Sequence, residues 1–288
     1  MKVLVTGASG QLGTDVVAHL KHSGHEVIAS DRDTLDITNA AACQSFIQQF
    51  RPEAVIHCAA YTAVDRAETE VGAAYAVNAT GTRNMVVASE RIGAKFCYIS
   101  TDYVFDGRSD SPYREYDDTN PQTIYGKSKR AGEQLVQTLS SRYFIVRTSW
   151  VFGLHGHNFV KTMLRLGQER DEMKVVHDQK GSPTYTPDLS EFLLQLIATE
   201  QYGIYHASNS DTCTWYEFAS EIFAEAAEIL NRPLKARLIP CTTEEFPLPA
   251  PRPANSVMEH LSIRNSGFKD LRSWQEGLQD FLQQYLKK

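Results

Sequence analysis

Short apolar runs recur through the first half of the chain, and each is followed by a stretch with helical spacing. Lys2-Val3-Leu4-Val5-Thr6, Glu26-Val27-Ile28-Ala29-Ser30, Ala54-Val55-Ile56-His57, Lys95-Phe96-Cys97-Tyr98-Ile99-Ser100 and Tyr143-Phe144-Ile145-Val146-Arg147 read as buried parallel strands. Between them, Leu12, Val16, Val17 and Leu20 mark one helix, which Gly24 stops. Phe46 and Ile47 lie on a second helix, residues 73–92 form a third, and a fourth carries Tyr125 and Lys129. Strands alternating with helices predict an α/β fold, a Rossmann-like doubly wound parallel sheet.

Beyond Trp150 the rhythm is less regular. Helices are expected near 158–169 and 188–199, with a short strand at Lys174-Val175-Val176 between them. Ile204-Tyr205-His206-Ala207 reads as a strand that returns to the main sheet. Thr214 with Glu217 three residues on forms a capping box at the head of an amphipathic helix over 214–230. Pro247, Pro249, Pro251 and Pro253 set an extended loop, and a last helix covers 273–286. The expected division is a dinucleotide-binding domain over 1–150, to which segments near 178–207 return, and a smaller substrate lobe over 151–288. A cleft is expected between them.

Composition narrows the class without changing the fold. The 288 residues are 42% hydrophobic and 22% charged, enough for a full core. A net charge of −6, with basic residues scattered, gives no footprint for nucleic acid or an anionic membrane. No apolar run reaches the length of a membrane span. The five cysteines are irregularly spaced and include no Cys-x-x-Cys, which points to reduced thiols rather than a disulfide frame or a zinc site. The N-terminus enters a strand at once, so no signal peptide and a cytoplasmic location are expected.

The first candidate chemistry is Thr6-Gly7-Ala8-Ser9-Gly10-Gln11-Leu12-Gly13, between a strand and a helix. Gly7, Gly10 and Gly13 let the backbone approach a pyrophosphate, which the helix N-terminus favours electrostatically. A plain glycine-rich turn is the bland alternative, and the strand-turn-helix context argues for the dinucleotide. Asp31, ending the second strand, suits the ribose 2′-hydroxyl of NAD, whereas Arg32 suits the 2′-phosphate of NADP. The choice between NADH and NADPH therefore stays open. Asp36, before Ile37, fits either an adenine contact or a solvated cap. Asn78 fits either a backbone tie to the cofactor strand or a helix-surface amide.

The second is the pair Ser100-Thr101-Asp102 and Tyr125-Gly126-Lys127-Ser128-Lys129. A helical Tyr-x-x-x-Lys places phenol and ammonium one turn apart. The lysine is expected to lower the tyrosine pKa, and the tyrosine to exchange a proton with a carbinol or carbonyl oxygen. Thr101, at the end of the fourth strand, supplies a second hydroxyl. Asp102 is a loop acid or a sugar ligand, and Trp150 is core or the floor of a sugar site. His155 and His157 lack a nearby third ligand and read as loop, so no metal site is assigned.

Together these motifs resemble the extended short-chain dehydrogenase/reductase superfamily, and within it the dTDP-4-dehydrorhamnose reductase group. Further segments carry the likeness: 58–68, 147–153, 158–163, 178–184, 214–219 and 251–256. The resemblance implies Tyr125 as proton donor, Lys129 as its activator and Thr101 as partner. It places Gly10, Gln11 and Leu12 at the pyrophosphate, Asp36 and Ile37 at the adenine, and Ala60, Tyr61 and Thr62 along the cofactor. Thr101, Asp102 and Trp150 are implied at the deoxyhexulose, and Arg252 at the nucleotide end. Implied too are NADPH or NADH as cofactor and a dTDP-sugar as substrate. The implied reaction reduces the C4 ketone of dTDP-4-dehydro-β-L-rhamnose, for cell-surface polysaccharide. A monomer or homodimer is expected. Some members of the group bind magnesium through acidic residues, with Asp15 the only position matched here. Two alternatives share the resemblance: another nucleotide-sugar reductase or epimerase, and a non-catalytic regulatory subunit like that of methionine adenosyltransferase.

Overall fold

The computed structural model describes residues 1–287. Its central sheet contains β1 (Lys2–Thr6), β2 (Glu26–Ser30), β3 (Ala54–His57), β4 (Lys95–Thr101) and β5 (Tyr143–Thr148). The strand Gly203–His206 completes it beside β5, so the expected return of the chain to the sheet takes place. All neighbours are parallel, in the order Gly203–His206, β5, β4, β3, β1, β2.

Both faces of the sheet are covered, which is why the strands read as nearly continuous apolar runs. Val3, Val5, Ile56, Phe144 and Val146 pack with Leu12, Val16 and Leu20 of the helix Gln11–His22 and with Leu189 and Leu193 of Thr186–Ile197. Leu4, Val55, Phe96 and Ile145 face the other way, onto Ile47, Met85, Val86 and Val136. Each such fully buried side chain contributes roughly 1.5–3 kcal/mol. A third cluster draws only on residues beyond Trp150, among them Phe152, Val160, Phe218, Trp274 and Phe281. There the strand Glu172–Val176 pairs with Arg237–Cys241, an element the pattern does not announce. The capping box at Thr214 and Glu217 is formed, and Ser273 with Glu276 makes a second.

The chain starts at β1, moves outward to β2, then crosses to β3 on the opposite side. Strand order thus reverses between β1 and β3, and a crevice opens beyond their C-terminal ends. The expected single helix over 73–92 is three segments: Val71–Tyr75, a π-helical turn Ala76–Gly81, and Thr82–Glu90. The wider π turn carries Asn78 and breaks the 3.6 period. Among the described residues no helix is long and apolar enough to cross a membrane.

Candidate active site

The crevice widens into a cleft of about 1290 Å³ running from Arg32 and Asp36, past the glycine turn, to Thr101, Tyr125 and Trp150. At its centre Gly7 has φ +63°, and a Cβ there would come within 2.8 Å of the Ala59 amide nitrogen. A Cβ on Gly13 would collide with the Gly7 carbonyl oxygen. The two glycines therefore let β1, the turn and the segment after β3 close together. Gly10 is the N-cap of Gln11–His22 and brings no side chain to the helix head. This cradle fits a dinucleotide pyrophosphate, which needs bare backbone N–H groups at close range.

The adenosine side of the cleft favours one of the two open readings. The Asp31 carboxylate accepts the Asp33 and Thr34 amides (3.1 and 3.3 Å), so it closes its own turn. Exposed Arg32 makes no hydrogen bond or salt bridge among the described residues. Asp36 accepts both the hydroxyl and the amide of Thr38 (2.7 and 2.9 Å), which lowers its pKa. Ile37 is buried, and its carbonyl accepts Asn84 Nδ2.

Ala60, Tyr61 and Thr62 line the cleft after β3. Asn78 holds this strand: its Oδ1 accepts the Tyr61 amide (2.8 Å), and its Nδ2 donates to the Tyr61 carbonyl (3.0 Å) and to Ser128 Oγ (2.9 Å). The backbone-tie reading of Asn78 is therefore the one the structure supports. Three carboxylates of segment 64–70 act similarly. Asp65 accepts Arg252 and the Ala250 amide, Glu68 accepts the Ile124 amide at the head of the helix Ile124–Leu139, and Glu70 accepts the Tyr61 hydroxyl and Arg66.

The reacting end is buried and polar. Thr101 Oγ1 donates to Asp102 Oδ1 at 2.8 Å. Asp102 is 4% exposed, and its Oδ2 has no hydrogen-bond partner. Burial raises its carboxyl to about 6, although Thr101 and the nearby Ser256 act in the opposite direction. Tyr125 is half-buried and edge-on to Tyr103. The expected lowering of its pKa by Lys129 is not found. Burial pushes the phenol up to about 12, only partly opposed by Thr101. Lys129 Nζ instead donates to the Ile99 carbonyl at 2.6 Å and sits 4.1 Å from the centre of the Tyr98 ring. Burial depresses the ammonium to about 7, against the opposing field of Glu133.

Trp150 adopts φ +48°, a left-handed conformation that a bulky residue rarely takes. It stacks on Trp215 with ring centres 3.6 Å apart, and a Cβ on Gly181 would approach its ring to 2.5 Å. Trp150 is therefore clamped between the helix Trp215–Leu230 and segment 180–181, with one side on the cleft. Trp215, Gly181 and Ser256 lie within segments that carry the resemblance, but residue type alone gives them no role. The one readable signal is an aromatic residue directly after the Thr214 cap.

Arg252 pairs with Asp65 at 2.7 Å and donates to the Ala250 carbonyl, and it is not among the residues lining the cleft. Asp15 accepts Thr186 Oγ1 and faces His155 at 3.7 Å. No group of three or more His, Cys, Asp or Glu residues arranged to hold a metal occurs among the described residues. His157 lines the cleft from a loop, as expected of that segment.

A family model described as "RmlD substrate binding domain" matches residues 1–287. The chain belongs to this family. It is 45% identical to the Bacillus subtilis spore coat polysaccharide biosynthesis protein SpsK, over 98% of this chain and 97% of that protein. It is 43% identical to the dTDP-4-dehydrorhamnose reductase of Aggregatibacter actinomycetemcomitans, over 97% of each. Among solved structures, the dTDP-4-dehydrorhamnose reductase of Bacillus anthracis in complex with NADP superposes with a TM-score of 0.94 at 48% identity, covering 100% of this chain and 99% of that one. The family's extent matches the architecture: the glycine turn, the Tyr125 helix and the Trp150 clamp all fall inside the matched residues.

Proposed function

We propose that this chain is an NAD(P)H-dependent oxidoreductase that reduces the C4 ketone of dTDP-4-dehydro-β-L-rhamnose to give dTDP-β-L-rhamnose for cell-surface polysaccharide. The observation that carries the reading is one continuous cleft. It joins a glycine cradle to half-buried Tyr125 and to buried Thr101, Asp102 and Lys129, with one unpartnered carboxylate oxygen. Relatives named as this reductase, and a similar structure holding NADP, support it.

Residues of the first half hold the cofactor: Gly7, Gly10, Gln11, Leu12 and Gly13 at the pyrophosphate, Asp36 and Ile37 at the adenine, and Ala60, Tyr61 and Thr62 along its length. Arg32, unpaired while Asp31 closes its own turn, favours NADPH over NADH. A bound nicotinamide dinucleotide supplies the hydride. Tyr125, fully protonated at neutral pH, gives its proton to the former ketone oxygen, and Thr101 hydrogen-bonds the same oxygen. A general acid of this kind contributes roughly a hundred- to ten-thousand-fold. Lys129 steadies the charge Tyr125 gains. Asp102 and Trp150 bind the sugar, the first through its free oxygen, the second through the side of its ring that lines the cleft. Arg252 serves the nucleotide end indirectly, by fixing the proline loop to Asp65. The division into a dinucleotide domain and a substrate lobe, and a cytoplasmic location, belong to this reading.

Spectrophotometric NAD(P)H oxidation across dTDP-, CDP- and GDP-4-keto sugars tests it. Turnover with the dTDP-4-keto sugar is expected. Cofactor that stays bound without net consumption would instead indicate an epimerase.

A further inference from the structure

Glu133 lies one turn beyond Lys129 on the helix Ile124–Leu139 and is completely buried. Its carboxylate accepts Arg147 Nε and Nη2, both at 2.9 Å, and Ser100 Oγ at 2.6 Å, with Arg130 at 3.3 Å on the outer side. Ser100 and Arg147 are register partners on β4 and β5, and the next pair is Thr101 and Thr148. The helix that carries Tyr125 and Lys129 is thus bolted to the sheet one residue before the hydroxyl of Thr101. Stability alone is a weak reason for this arrangement. A buried ion pair loses so much hydration that an apolar pair of equal volume holds a fold as well or better.

We propose that Glu133 is a positioning residue of the reaction: its buried carboxylate, held by Arg147 and Ser100, fixes the register of Tyr125 and Lys129 against Thr101 and keeps a negative charge beneath the Lys129 ammonium. The proposal rests on the catalytic reading of Tyr125 and Lys129. The other groups facing Lys129 do not supply that charge. His57 is buried and neutral, its pKa driven to about 3. Burial pushes the Cys58 thiol up to about 12, and Tyr98 is held well above its ordinary value. Tyr125, on the same helix, is protonated. Arg147 and Arg130 both pair with Glu133, and they set how much of its field remains for Lys129.

The test is the pH dependence of kcat/KM for NADPH oxidation with the dTDP-4-keto sugar, on folded protein checked by thermal unfolding. Glu133→Gln keeps shape and removes charge. It is expected to move the alkaline limb down by about one pH unit, the lower end of the effect of a nearby opposite charge, and so to lose about tenfold activity above that limb. Arg147→Met removes the nearer of the two guanidiniums from Glu133, leaving Arg130 at 3.3 Å, and is expected to move the limb the other way. A merely structural role would lower activity in both without opposite shifts, and that result would overturn the proposal. Ser100→Ala deletes one hydroxyl donor and serves where a charge variant does not fold. Its limb is expected to move with that of Arg147→Met but less, and an unmoved limb counts against the proposal. Lys129→Met and Tyr125→Phe separate the two claims. If either keeps more than about a tenth of the wild-type rate, the catalytic reading fails. If both lose it and the Glu133→Gln limb stays in place, only the role of Glu133 fails.

Discussion

The side of the cleft proposed for the cofactor and the side proposed for the sugar, called the cofactor side and the sugar side, are built in different ways. The cofactor side is backbone: Gly7, Gly10 and Gly13 stand within seven residues, and what matters is the side chains they lack. The sugar side is side chain. Asp102, Trp150, Gly181, Trp215 and Ser256 come from five separated stretches and meet only when the third hydrophobic cluster is packed. It also carries the costs, with a left-handed tryptophan and a buried carboxyl oxygen without a partner. A chain can recognise a common cofactor with a short local turn. Recognising one sugar takes strained, desolvated groups held by distant packing.

The comparison breaks first at the shared acid. Tyr125→Phe should lower the rate at least about a hundredfold, while NADPH affinity by calorimetric titration stays within about twofold of wild type. A rate above a tenth of wild type would show that the two sides do not meet at this phenol. Gly13→Ala should strike the cofactor side alone. The new Cβ meets backbone, which must shift at a cost of roughly 1–3 kcal/mol. NADPH affinity is expected to fall about tenfold or more, with dTDP-rhamnose affinity nearly unchanged. Trp150→Ala is the mirror experiment. Loss of its ring face should weaken dTDP-rhamnose by about 1 kcal/mol, near fivefold, and leave NADPH binding alone. Equal losses of both ligands in either variant would erase the distinction.

Asp102 sharpens it through pH. Its folded pKa of about 6 lies above the ordinary 3.8, so ionisation is disfavoured in the fold. The stability it contributes is therefore present below pH 4 and lost as pH rises through 6. Asp102→Asn lacks that loss. Its stability relative to wild type should grow by roughly 1–3 kcal/mol from pH 4 to pH 7 and stay level above, as chemical denaturation at several pH values would show. The sugar side would then be a place where function is kept against stability. The smallest effect is expected at Arg32→Ala. KM for NADPH should rise a few-fold, about 1 kcal/mol for one exposed charge-assisted contact, with NADH unaffected. Equal changes for both cofactors would remove Arg32 from the phosphate.

Legibility follows the same divide. β1 to β5 and the glycine turn are readable because burial on two faces and a backbone-only cradle leave local marks. The Tyr-x-x-x-Lys spacing is readable too, but not its electrostatics. Spacing says nothing of the desolvation that raises Tyr125, nor of the Ile99 carbonyl that draws Lys129 away. Arg252 is visible as a candidate cation, whereas its tie to Asp65 joins positions 187 apart in the sequence. The π turn is hidden because helical segments continue on both sides of it and residue type alone does not mark a widened turn.

The three carboxylates of segment 64–70 have a consequence for chain length. Asp65, Glu68 and Glu70 reach the proline loop, the head of the Tyr125 helix and the cofactor strand respectively. Successive helical residues are turned by about 100°. One residue inserted after Asp65, inside the helical turn Val64–Ala67, would therefore turn Asp65 out of register with Glu68 and Glu70. Of the residues between them Ala67 is buried, whereas Arg66 and Thr69 are exposed. Over evolutionary time this stretch should tolerate substitution at Arg66 or Thr69 far more readily than any insertion or deletion. Its count of residues is then expected to be held more strictly than its spelling.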